Sequence, residues 1–101
     1  MYIRAVISVE GESNETLVLD GEWLEKLRGG APKGKQQVAS FQSAEWKEFE
    51  KRRKLFGGEK VKMVQLVLTF EKPPFFGFIT EAEKRPQLEE IVAGLEAARA
   101  G

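Results

Sequence analysis

A chain of 101 residues, 42% hydrophobic and 32% charged, has the length and composition of one globular domain with a core of its own. Its 16 basic and 16 acidic residues cancel, so attraction to nucleic acid or to an anionic membrane would need local segregation of charge. Cysteine and histidine are absent, which excludes disulfides, thiolate or imidazole metal ligands, cysteine nucleophiles and histidine bases; carboxylate, lysine, serine or tyrosine chemistry and oxygen-ligated hard cations remain.

In chain order, Met1 to Val9 predicts a strand, with Ile3, Ala5, Ile7 and Val9 on one apolar face. Glu10 to Glu15 is a turn by composition, and Thr16 to Leu19 returns as a second strand, which makes an N-terminal hairpin. Asp20 has the chemistry of a helix N-cap, so a short helix is expected from Gly21 to about Arg28, with Trp23, Leu24 and Leu27 inward and Gly29-Gly30 as its stop. Gly29 to Lys35 reads as a basic loop, and Gln36 to Gln42 fits no single period beyond a short strand.

Ser43 would cap a second helix, Ala44 to Phe56, stopped by Gly57-Gly58. At 100° per residue Trp46, Phe49 and Phe56 form one stripe, with Lys47, Lys51 and Lys54 opposite. Val61 to Phe70 is the longest apolar run, rich in β-branched and aromatic residues, and predicts a central strand covered on at least one face. Pro73-Pro74 turns the chain, because neither proline can donate to a ladder. Phe75 to Ile79 then predicts a strand antiparallel to the central one. Thr80 and Glu83 have capping-box spacing, and from Pro86 the residues Leu88, Ile91, Val92 and Leu95 predict the C-terminal helix. The expected fold is a single α+β domain over residues 1–101, a mainly antiparallel sheet of about four strands with two to three helices, in the order ββα(β)αββα.

Candidate sites are few. Gly29 to Lys35 has the G-x-x-x-x-G-K spacing of a phosphate-binding loop, but Gln36 stands where Ser or Thr should hold Mg²⁺. No buried strand precedes it either. Lys33, Lys35, Lys47, Lys51, Arg52 and Lys54 are the candidate contacts to an anion or nucleic acid, since residues 36–62 carry seven basic against four acidic side chains. Phe75, Phe76 and Phe78 are the candidate protein interface, because a strand covered on one face leaves part of that aromatic cluster outside. The acidic pairs Glu81/Glu83 and Glu89/Glu90 fit helix starts and solvent-facing positions, and Ser13, Ser40 and Ser43 fit turns and caps. No catalytic residue, metal site or cofactor is expected. The expectation is a non-catalytic cytoplasmic protein that binds another protein or itself, as an accessory or regulatory subunit. The alternative is nucleic-acid or polyanion binding through the basic face of residues 44–56. No secretory signal and no apolar run near the roughly 20 residues of a bilayer span appear, so no membrane partner is expected.

Overall fold

A computed structural model describes residues 6–52 and 59–100, and among these the chain forms seven strands and one α-helix. Strands β1 (Val6–Glu10), β2 (Glu15–Asp20), β3 (Trp23–Arg28) and β4 (Ala31–Gln37) form a four-stranded antiparallel meander. Strands β5 (Phe41–Arg52), β6 (Lys60–Phe70) and β7 (Phe76–Glu81) form a second, three-stranded one. Helix α1 (Arg85–Ala100) follows. Among the described residues the fold is therefore α+β with two sheets and one helix, where the sequence pattern predicts one sheet and two to three helices.

The central strand and the C-terminal helix form as expected, and so does the N-terminal hairpin from Val6 onward; residues 1–5 of its expected first strand lie outside the described residues. β6 pairs with β5 on one side and β7 on the other. Its inner face, Val64, Leu66, Leu68 and Phe70, is fully buried against the inner face of the first sheet, where Val9, Leu17, Leu19 and Leu24 meet it. Leu88, Ile91, Val92 and Leu95 of α1 close the same core over β1 and β5. Phe41, Phe70 and Phe76 meet edge to face, with ring centroids 5.9 and 5.5 Å apart. No helix among the described residues is long and apolar enough to cross a membrane.

Two predicted helices are strands. Residues 21–28 form a hairpin turn and β3, because Asp20 pairs with Trp23 across Gly21-Glu22 and Gly21 takes φ 62°. A positive φ at the first central position only is the pattern of a type II′ turn. Gly29 and Gly30, at φ 57° and 83°, are the two central residues of the next turn, between Arg28 and Ala31, as a type I′ hairpin requires. The left-handed conformation read as a helix stop is present, but it turns a strand. Residues 29–35, expected as a loop, accordingly contain most of β4.

The helix expected over 44–56 is instead strand β5 as far as Arg52, paired with β6 from Phe41 to Arg52, and residues 53–56 of that expectation lie outside the described residues. The stripe read as helical is split by the pleat, because Trp46 stands opposite Leu66 on one face and Phe49 opposite Met63 on the other, and a bulge at Gln42 shifts the phase at the start of the strand. With one extra residue there, Phe41 and Ala44, three apart, both face inward opposite Phe70 and Leu68. Residues 36–42 comprise the end of β4, a 3₁₀ turn at Val38–Ser40 and the start of β5. Thr80 does not cap a helix either: it ends buried in β7, and its hydroxyl donates to the Glu10 carbonyl at 2.9 Å, tying the sheets together. Pro86 stands in the first turn of α1, where a missing N–H breaks no intrahelical bond.

Replacing Phe76, 2% exposed and in edge contact with Phe70, by alanine is expected to cost about 3–5 kcal/mol. Replacing its neighbour Phe75, 57% exposed, is expected to change stability by less than about 0.5 kcal/mol. Urea unfolding followed by circular dichroism checks the pair.

Candidate functional site

Proline, glycine and one glutamine build the most distinctive surface of the molecule. Pro73-Pro74 ends the β6 ladder and carries the chain alongside β4 rather than into a tight hairpin. Gln36, on β4, holds it there: its Nε2 donates to the carbonyl oxygens of Lys72 at 2.6 Å and Pro74 at 3.0 Å. The Glu71 amide donates to the Ser40 carbonyl at 3.0 Å. Gly34 permits the approach, since a Cβ there would stand 2.7 Å from the Phe76 ring and 3.2 Å from Pro74. Phe75 leaves this turn with 57% of its surface exposed, just before β7 begins.

Two depressions lie beside the fastened turn. One, of about 230 Å³, is lined by Lys26, Arg28 and Lys33 together with Glu15, Pro74 and Phe75. The other, of about 340 Å³, is lined by Trp23, Lys35, Lys72 and Glu71 with neighbouring polar residues. Trp23 and Lys35 lie diagonally across β3 and β4 on the outer face of the first sheet, with the lysine Nζ 4.5 Å from the ring centroid. Such a contact at an exposed position contributes about 0.5–1 kcal/mol and holds the indole flat against the surface. Glu15 bonds Lys26 at 3.2 Å and Arg28 at 3.1 Å. Lys33, Lys35 and Lys72 have no carboxylate partner among the described residues, although the chain as a whole is neutral.

The rim therefore gathers Lys33, Lys35 and Phe75 from the sequence-derived candidates and adds Trp23, Arg28 and Lys72. Phe76 and Phe78, 2% and 1% exposed, belong to the chain's own core, so a single ring of that cluster reaches the surface. Lys47 and Lys51 lie on the outer face of β5, with Phe49 between them rather than opposite, because the period is two and not 3.6. Arg52 points to the other side of the strand. Lys54 and Phe56 lie outside the described residues. Trp23 was legible only to a reading that took Asp20-Gly21 and Gly29-Gly30 as hairpin turns and the residues between them as alternating.

A separate cleft, of about 230 Å³, lies between the β1–β2 connection and the end of β7, with Glu10, Glu12, Glu81, Lys51 and Lys84 around it. Lys51 pairs with Glu12 across it at 3.1 Å, and Lys84 donates to the Glu10 backbone carbonyl at 3.3 Å. Among the described residues no three acidic side chains gather where they could hold a metal ion. In comparisons with known proteins the chain matches no family model, no curated protein and no solved structure.

If Gly34 is what lets the turn sit against β4, Gly34→Val is expected to cost about 1–3 kcal/mol through overpacking. Gly77→Ala, whose new methyl would meet only the Gln65 side chain at 3.9 Å, is expected to stay within about 0.5 kcal/mol of the parent. Denaturant midpoints for the two variants give the comparison.

Proposed function

We propose that the chain is a non-catalytic binding module for single-stranded nucleic acid, held along the rim formed by β3, β4 and the diproline turn. One observation supports the reading above the others. Three large apolar side chains are exposed among the described residues, Val6, Trp23 and Phe75, and both aromatic ones stand among the lysines and arginine of this rim. Bases stack on exposed rings for about 1–3 kcal/mol each with little sequence preference, while cations between the rings meet the backbone phosphates. A flexible single strand can offer its base faces to Trp23 and Phe75, whereas a duplex keeps them stacked inside. The neutral chain supplies little long-range steering, so affinity rests on these contacts.

The test is fluorescence anisotropy with a labelled oligodeoxythymidylate of about 16 nucleotides. With Arg28, Lys33, Lys35 and Lys72 each releasing a counterion, log K is expected to fall against log salt with a slope of about −3. Trp23→Ala and Phe75→Ala are each expected to weaken binding about 5- to 150-fold, and Lys33→Glu/Lys35→Glu to abolish it with circular dichroism unchanged. Binding indifferent to all three variants would remove the proposal.

The exposure of Phe75 beside Pro74 favours a second reading, in which that ring anchors a protein partner and the chain serves as its accessory or regulatory subunit. Partner capture would then depend on Phe75, ignore Trp23→Ala and resist competition by the oligonucleotide.

A further inference from the structure

Two sheets present four edge strands, β1, β4, β5 and β7, and three of them are blunted. β4 carries Pro32, which has no N–H to offer, and a bulge after it. On β1 the last carbonyl, Glu10, accepts from Thr80 and Lys84. On β7 the Gly77 carbonyl accepts from Lys26, and the Glu10–Thr80 bond ties down its far end. β5 is different. It runs for 12 residues with no proline, its one bulge lies at the start, and among the described residues no backbone group pairs along its free side. The Gln42 carbonyl accepts from the Arg99 guanidinium at 2.6 Å, and the other contacts that reach β5 from outside its sheet, Arg85 to Trp46 and Glu48 and Lys51 to Glu12, go through its side chains.

We propose that β5 pairs antiparallel with β5 of a second copy, about a two-fold axis at Trp46, joining the two three-stranded sheets into one six-stranded sheet. The choice of partner rests on charge. Side chains directly opposite in an antiparallel ladder lie on the same face, so a two-fold between identical strands must pass through a residue. Centred on Glu45, Lys47, Glu48 or Glu50, the register sets a residue against its own like charge; centred on Phe49, it sets Lys47 against Lys51 and Glu48 against Glu50. Centred on Trp46 it sets no like charges together and places Glu45 opposite Lys47 twice, once on each side of the axis. In that register Glu50 also comes opposite Gln42, where the Arg99 guanidinium of the other copy already sits. The strand is thus self-complementary in one register and repulsive in its neighbours, which is how charged pairs specify register. This pairing leaves the nucleic-acid rim free on each copy and stands independently of it.

Sedimentation equilibrium across a concentration series is the experiment, with circular dichroism confirming that each variant is folded. The parent chain is expected to be a dimer. Lys47→Glu, which sets Glu45 against a glutamate twice, is expected to weaken association about tenfold or more. The exchange Glu45→Lys/Lys47→Glu is expected to restore it, because the same pairs re-form with their signs reversed. A parent chain that stays monomeric, or an exchange variant as weak as Lys47→Glu alone, overturns the proposal.

Discussion

The burial of one face of β6 is the constraint on which the rest of the molecule depends. Val64, Leu66, Leu68 and Phe70 lie on alternate positions of a strand with a ladder on each side, and all four are sealed from water. A pleated strand that shifts by one residue turns its whole inner set outward, so the registers of β5 and β7 are determined together with that burial. The first sheet and α1 then have a defined task, to cover this face with Val9, Leu17, Leu19, Leu24 and the apolar stripe of the helix. At about 1.5–3 kcal/mol for each large side chain removed from water, no local preference of the flanking segments competes with the sum.

The rim follows from how that sheet ends. β7 must return antiparallel beside β6 and begin its inner set at Phe76, which pairs with Leu68. The diproline segment therefore brings Phe75 out one position before the ladder starts, on the exposed side of the turn. The turn rests against β4 because Gly34 has no side chain and because the carbonyls of Lys72 and Pro74 need a donor, which Gln36 supplies. Lys33 of β4 and Arg28 of β3 thereby stand beside the Phe75 ring, which is distant from both in sequence. A neutral chain acquires a locally cationic, aromatic surface by folding, not by composition.

β5 shows the same logic at the edge of the second sheet. Its inner positions, Ala44 and Trp46, pack on the core, and Arg85 of α1 lies over the Trp46 ring at 4.6 Å while pairing with Glu48. Its outer positions alternate acid, base and ring: Glu45, Lys47, Phe49, Lys51. A strand of mixed charge stays soluble at an edge, yet its pattern is not symmetric under every register, and that asymmetry gives the edge a preference.

Some of this was written in the residues themselves. β6 is an apolar β-branched run between glycines and prolines, β7 an aromatic run after the diproline, and α1 an apolar stripe at helical spacing, and each forms where that pattern places it, as does the β1–β2 hairpin from Val6 onward. Segments 21–28 and 44–56 do not, since Glu, Lys, Leu and Trp at spacings of two and three satisfy a helix and a strand alike, and a glycine at positive φ ends one as readily as it turns the other. Local preference left those stretches undecided. The tertiary structure decided them, because β6 buries its inner face and satisfies its backbone with a neighbouring strand along its full length, and a one-residue bulge at Gln42 brings Phe41 onto the same face as Ala44 and Trp46.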